Sequence, residues 1–267
     1  LADVRFQDSV PHFQVAVDLV AEIASYNPFD FFLEPYAEEF PFTYELRLQD
    51  ELAPYFRKEP PGPRVTEYLK KISRDPRRTV DFLVELNQQV KDDVQYLIRM
   101  EPGVQASEDT LKLGSGSCRD SAVLMVDLLR ELGFAARFVS GYLIQLVAPD
   151  GEGGPATDFV DLHAWAEVFV PGGGWIGLDA TSGMLCGEGH IPLACTPEPG
   201  SAGPIEGGME GGIGSAMQFE MSVQRLDEPP SPAKPYTDEV WERIDACGLA
   251  VDADLKRMGV GLTMGGE

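Results

Sequence analysis

Cys118, His163 and Asp179 are residues whose types and order could together perform nucleophilic chemistry. Cys118 follows Gly114-Ser115-Gly116-Ser117 and leads at once into the apolar run Ala122 to Leu132, closed by Gly133. A flexible lead, a hydroxyl residue able to cap and a long apolar run predict a helix with Cys118 at or within its first turn. The N-terminus of a helix favours negative charge, which a thiolate nucleophile requires. An isolated cysteine is more often a small core residue, so the weight falls on what lies downstream.

A thiolate nucleophile needs an adjacent imidazole, and the imidazole needs an acceptor on its other nitrogen to fix tautomer and orientation. Two of the three histidines, His163 and His190, lie downstream of Cys118. His163 stands in an alternating run, with Leu162, Ala164, Ala166, Val168 and Val170 on one side and Asp161, His163, Trp165, Glu167 and Phe169 on the other. Pro171-Gly172-Gly173-Gly174 turns the chain, and Trp175 to Asp179 returns as a partner strand. If the hairpin pairs odd with odd about Gly172, His163 and Asp179 stand opposite or diagonal, within side-chain reach. His190, beside Gly189 and ahead of Pro192 and outside any clear strand, is the rival base and reads as structural or exposed.

These residues need elements to hold them. Residues 12–19 alternate as a half-buried strand, with Phe13, Val15, Val17 and Leu19 on one side. The aromatic-rich stretch 27–42, broken by three prolines, is an irregular connector packed against a neighbouring domain. Glu59-Pro60-Pro61-Gly62-Pro63 is a stiff linker and candidate boundary. A short helix over 64–72 and a longer one from Thr79 to Met100 follow, the latter carrying the stripe Leu83, Leu86, Val90, Val94, Leu97. Ala135 to Val147 is a buried strand and Pro149 to Thr157 a Gly-rich loop. Cys186 to Ser215 has no periodicity and reads as loop; Met217 to Val223 alternates as one more strand. Helices begin at Thr237 and near Asp252. Helices first and an antiparallel sheet after them make an α+β fold.

A net charge of −23 argues against a nucleic-acid surface and against an anionic membrane. The four cysteines contain no C-x-x-C pair and suggest neither a disulfide framework nor a zinc site, which fits a reducing, cytoplasmic setting. The scattered histidines show no metal-ligand spacing and no stretch matches an EF-hand loop, so neither metal nor cofactor is expected. No apolar run reaches the roughly 18 residues of a membrane span.

Three blocks together carry a resemblance. Gly116-Ser117-Cys118-Arg119-Asp120, with Leu129-Arg130-Glu131-Leu132-Gly133 and Arg137-Phe138-Val139-Ser140-Gly141-Tyr142, resembles the nucleophile segment of the bacterial transglutaminase-like superfamily. His163-Ala164-Trp165-Ala166-Glu167 resembles its histidine motif, and Trp175-Ile176-Gly177-Leu178-Asp179-Ala180-Thr181 its aspartate motif, with Ala180 where a proline is usual. The resemblance implies a papain-like α+β core with Cys118 as nucleophile, His163 as acid/base and Asp179 as orienter. It implies domains at 1–58 (the end of a β-rich N-terminal segment and connector), 64–225 (the catalytic core) and 226–267 (a linker and helices). The tail resembles the approach to a further domain, an intramolecular partner beyond residue 267.

The expected activity is acyl transfer on a peptide or carboxamide through a thioester, with a peptide or protein as substrate. Hydrolysis is favoured, because bacterial members of the superfamily are commonly regarded as protease-like. The alternatives are transamidation of protein glutamine and a non-catalytic binding domain that has kept the fold. Gln95 and Tyr96, read on the preceding helix, are candidates for oxyanion or substrate contact, against simple helix packing. Tyr142 and Trp165 are candidates for lining the cleft, against core packing.

Overall fold

The computed structural model describes residues 4–8, 10, 12–24, 27–147, 155–203, 218–226 and 236–258. In chain order the regular elements are β1 (Glu39–Phe40), α1 (Leu46–Glu51), α2 (Pro63–Leu69), β2 (Arg77–Arg78), α3 (Thr79–Asp93), β3 (Gln95–Tyr96), α4 (Ser107–Leu113), β4 (Ser115–Gly116), α5 (Cys118–Glu131), β5 (Ala136–Gln145), β6 (Phe159–Val170), β7 (Gly174–Asp179), β8 (Met184–Leu185), β9 (His190–Thr196) and α6 (Asp238–Met258). The fold is α+β, with the cysteine-bearing helix packed on an antiparallel sheet that carries the histidine and the aspartate.

That sheet has five strands in the order β8-β7-β6-β5-β9, every neighbouring pair antiparallel. The period-two alternation of β6 decides which face meets α5. Ala164, Ala166, Val168 and Val170 enter the core with Leu124, Met125, Leu128 and Leu129 of the helix, all essentially without solvent contact. Burying each of the larger side chains stabilises the fold by roughly 1.5–3 kcal/mol relative to leaving it exposed. The two alanines leave room for the helix to lie close. Arg130 is buried at the far end of α5, where its guanidinium donates to the carbonyls of Arg57, Ala136 and Pro197.

The aromatic connector belongs to this same core. Phe40 stacks on Phe82 with ring centroids 3.7 Å apart and on Phe134 at 5.5 Å, while β1 pairs with β2. The Glu34 N–H donates to the Pro171 carbonyl at the β6–β7 turn. At that turn Gly172 has φ +92°, and a Cβ there would lie 2.5 Å from the Phe32 carbonyl oxygen. The Tyr44 hydroxyl donates to the Phe169 carbonyl and accepts from the Ala135 N–H. The proline-rich stretch 59–63 therefore spans two parts of one core. Pro63 opens α2, and the Glu108 carboxylate accepts from the free N–H groups of Arg64 and Val65.

Several readings of the sequence change here. Residues 12–19 form no regular element and pair with no strand, and Phe13, Val15, Val17 and Leu19 are about half exposed. Alternation describes side chains only; a strand also needs a neighbouring backbone, and none stands beside this segment among the described residues. No β-rich N-terminal segment is therefore seen in what is described. The helix expected to reach Met100 stops at Asp93, because Val94 turns extended and Gln95–Tyr96 pair in parallel with Ser115–Gly116. Residues 218–226 join no ladder, so the strand expected there does not form within the described part; Met217 itself lies outside it. The stretch read as loop from Cys186 supplies the edge strand β9, with a register shift at Ser140/Gly141 and Pro192 on the open edge. The two C-terminal helices are one, α6, with none of its residues buried. Much of the Pro149–Thr157 loop and the tail from Leu262 lie outside the described residues.

Candidate active site

Cys118 is the first residue of α5, and Ser117 is its extended N-cap. What fixes this helix end is Asp120, which is completely buried. Its carboxylate accepts from the Ser117 N–H and hydroxyl (2.8 Å each), from the Gln105 N–H (2.7 Å) and amide (3.0 Å), and from Arg99 Nε (2.9 Å) and Nη2 (3.0 Å). Burial alone would raise the Asp120 pKa, but Arg99 and the N–H donors outweigh it and bring it to about 2. Arg119 closes the arrangement by donating to the carbonyls of Arg99 and Glu101. On the other side, the Gln95 and Leu97 N–H groups donate to the Gly114 and Gly116 carbonyls. The nucleophile approach is thus held from both flanks. A Cβ at Gly116 would stand 2.8 Å from Asp120 Cβ, which explains the glycine.

The sheet supplies the other half. In the β6–β7 hairpin Glu167 pairs with Gly177 and Ala166 with Leu178, odd with odd about Gly172. Continuing that register sets Asp179 opposite Trp165 and diagonal to His163. His163 Nε2 lies 3.2 Å from Asp179 Oδ2, with both side chains buried. Asp179 is further held by the Thr181 N–H (2.9 Å) and the Ser182 hydroxyl (2.9 Å), while Asn87 donates to its backbone carbonyl and to that of Met184. Burial by itself would lower the His163 pKa; the adjacent Asp179 carboxylate and Cys118 thiol outweigh it and push it up to about 10. Burial likewise opposes ionisation of Asp179, yet the two imidazoles beside it hold its pKa well below the usual carboxylate range. The thiol at the helix end and the carboxylate at the strand end thus both act on His163, the carboxylate from 3.2 Å.

His190 is the main correction at the site. It opens β9 and is largely buried, with Nε2 3.5 Å from Asp179 Oδ2. Its ring meets the edge of Trp165 at 5.2 Å and lies 5.7 Å from that of His163. The chain crosses from β8 to β9 between Leu185 and His190, which is why a residue outside any visible pattern arrives at the carboxylate. One ligand-type atom from each of His163, Asp179 and His190 lies within 4.8 Å of the others. Histidines with no metal-ligand spacing in sequence are therefore adjacent in space.

Trp165 is buried and backs both imidazoles. Tyr142 pairs with Leu162 while Gly141 pairs with His163, so the pleat sends Tyr142 and His163 to opposite faces. Gln95 and Tyr96 stand on β3, beside the nucleophile approach, rather than on a helix. Tyr96 is half exposed; burial first, then the charges of Cys118, Asp161 and Asp179, raise its pKa. Sequence reasoning missed the positioning roles of Asp120 and Arg99, although an acid three residues after Ser117 is a capping signature. It had no signal for Ser182 or Asn87.

Comparison with known proteins identifies the segment that carries this geometry, since residues 66–180 match the family model described as transglutaminase-like superfamily. Residues 66–180 are a transglutaminase-like superfamily domain. Residues 213–267 match a second model, described as "Putative amidoligase enzyme". An uncharacterized protein of Mycobacterium tuberculosis (strain H37Rv) is 27% identical over 168 residues, which are 60% of this chain and 53% of that protein. One of Mycobacterium leprae is 28% identical over 170 residues, 62% of this chain and 58% of that protein. The chain thus spans somewhat over half the length of these curated relatives. A protein-glutamine gamma-glutamyltransferase of Pseudomonas aeruginosa is 38% identical over 72 residues, 25% of this chain and 10% of that protein. Among solved structures, a "Putative Cysteine Protease" from Cytophaga hutchinsonii overlaps with a TM-score of 0.44 at 22% identity, covering 57% of this chain and 49% of that one. The periplasmic domain of TgpA from Pseudomonas aeruginosa overlaps with a TM-score of 0.39 at 23% identity, covering 52% and 49%. No helix among the described residues is long and apolar enough to cross a membrane.

Proposed function

We propose that the transglutaminase-like domain is a thiol acyl-transfer enzyme acting on peptide or carboxamide bonds, with hydrolysis as its outcome. The observation that carries this is the convergence of the α5 N-terminus with the His163–Asp179 diagonal pair. Cys118 Sγ attacks the carbonyl carbon, and the oxyanion is met by the Cys118 N–H, which as a first-turn donor has no intrahelical acceptor. With Nε2 facing Asp179, the nitrogen left for the thiol is Nδ1. Asp179 holds the imidazolium, which a raised pKa keeps charged at neutral pH and able to protonate the departing amine. The neutral imidazole then takes a proton from water, the hydroxide attacks the thioester, and collapse releases the acid and the Cys118 thiolate beside the re-formed imidazolium. The 3.2 Å contact between imidazole and carboxylate tightens with substrate, as such contacts do in other resting enzymes. The Tyr96 hydroxyl, beside the approach to Cys118, is the candidate second donor to the oxyanion.

Transamidation is the second reading, favoured by the 38% identity to a gamma-glutamyltransferase over 72 residues. Peptide and γ-glutamyl substrates tested with and without a primary amine, read by mass, separate the two. Release of free acid at a rate indifferent to the amine is expected. Amine incorporation exceeding hydrolysis would replace the hydrolytic reading. Alkylation of Cys118 much faster than of Cys186, Cys195 or Cys247, and slowed in His163→Ala, is expected of an activated nucleophile. Equal rates at the four cysteines would remove the enzymatic reading altogether.

A further inference from the structure

The acyl-transfer cycle employs one histidine on Asp179, yet the structure brings two. His163 Nε2 and His190 Nε2 stand 3.2 Å and 3.5 Å from the same Oδ2, and the three atoms lie within 4.8 Å of one another. Both nitrogens are shut off from solvent and make no hydrogen bond, each standing at ion-pair distance from the carboxylate. The His163 side chain is only 7% exposed. Buried ring nitrogens that make no hydrogen bond are costly, and a bound ion is one way a native structure satisfies them. Here two of them converge beside a carboxylate oxygen.

The spacing suits one kind of ligand. A zinc ion bound tetrahedrally at about 2.0–2.1 Å sets its donor atoms roughly 3.3 Å apart, close to both observed separations. Two imidazoles and a carboxylate are a borderline donor set that takes zinc-type ions, whereas calcium and magnesium prefer oxygen throughout. The Ser182 hydroxyl donates to Oδ2 itself and the Thr181 N–H to Oδ1, which fixes the carboxylate in the manner of groups that orient metal ligands. The acidic chain, at net charge −23, also raises the local concentration of cations.

We propose that His163, Asp179 and His190 bind a divalent zinc-type ion, and that its binding silences Cys118 by occupying the imidazole and carboxylate the nucleophile depends on. The binding claim stands on the geometry alone; the silencing claim rests on the acyl-transfer reading above. Cys118 is not a ligand in this scheme, which separates it from simple capture of metal by a thiol.

Equilibrium dialysis of the chain against zinc chloride, with bound metal measured directly, tests the binding. One ion per chain is expected for the wild type, for Cys118→Ala and for the distant control His12→Gln. Affinity should fall at least tenfold in His190→Gln and in Asp179→Asn, with folding checked by circular dichroism and His190→Asn as a second variant. No bound ion, undiminished binding in both His190→Gln and Asp179→Asn, or loss confined to Cys118→Ala would each overturn the site. For silencing, zinc should slow Cys118 alkylation in the wild type and a chelator should restore it. Bound zinc with unchanged alkylation would overturn that half alone. A protein that binds zinc but turns over no substrate would refute the acyl-transfer reading and leave the metal site standing.

Discussion

Two aspartates lie fully buried within this domain, and they are used in opposite ways. Asp120, at the start of α5, has its oxygens taken up by a guanidinium, two N–H groups, an amide and a hydroxyl. Asp179, at the end of β7, has one N–H and one hydroxyl as fixed donors and faces two imidazoles at 3.2 Å and 3.5 Å. The first carboxylate has no capacity left and acts as a pin. The second keeps titratable partners and so can change state. Burial is the same for both; what distinguishes the two carboxylates is whether their partners are fixed donors or titratable ones.

The comparison can be broken most severely at Asp179. Asp179→Asn is expected to lower kcat by about 10⁴-fold, as loss of the orienting carboxylate does in related triads, while the protein stays folded. If the turnover of Asp179→Asn matched that of the wild type, the division of roles would be wrong. Asp120→Asn should show the reverse emphasis. It leaves the Arg99 guanidinium without its carboxylate, facing only the carbonyls of Glu101 and Gly103, and is expected to cost about 3 kcal/mol of stability, read by chemical denaturation. A change of much less than this would mean that the pin is dispensable.

A smaller effect is expected at Gly141, directly across from His163. A Cβ there would collide with the Ile191 carbonyl oxygen, so Gly141→Ala should cost roughly 1–3 kcal/mol and push β9, with His190, away from Asp179. A crystal structure of that variant with β9 unmoved would show that the bulge absorbs the methyl.

The mildest test is a titration. His163 has its pKa raised from 6.5 to about 10, so its contribution to stability is complete below 6.5 and is lost as pH rises towards 10. Asp179 is depressed from 3.8, so its contribution is present above that value and lost as pH falls. The difference in unfolding free energy between wild type and His163→Gln should therefore shrink from pH 6.5 to 10. The difference between wild type and Asp120→Asn should stay flat over that window, because a carboxylate with a pKa of about 2 has only an acid limb.

The places of Cys118, His163 and Asp179 were legible because their signals are local. Gly116-Ser117-Cys118 followed by an apolar run locates a helix end, and an odd–odd hairpin about Gly172 locates a diagonal pair. His190 was not legible, since its place depends on a crossover from one side of the sheet to the other. The same distinction explains the remaining differences. The stripe through Val94 and Leu97 continues at helical spacing, but pairing of Gln95–Tyr96 with Ser115–Gly116, a contact between distant residues, ends the helix at Asp93. The alternation of residues 12–19 promised a strand, yet alternation cannot supply the backbone partner that a ladder needs.

The contacts of residues 31–44 with the β6–β7 turn and with Phe82 and Phe134 bear on heredity as much as on packing. Every reactive side chain discussed here lies after the prolines at 60, 61 and 63, and the family match itself begins at residue 66. A gene trimmed to begin at that match would keep Cys118, His163, Asp179 and His190 and still yield a poor protein. Phe82 and Phe134 would lose the aromatic ring that covers them, and the hairpin aligning His163 with Asp179 would lose its fastening at Pro171. The smallest piece that evolution or an engineer can move intact therefore starts about thirty-five residues before the recognisable motif, near Phe31.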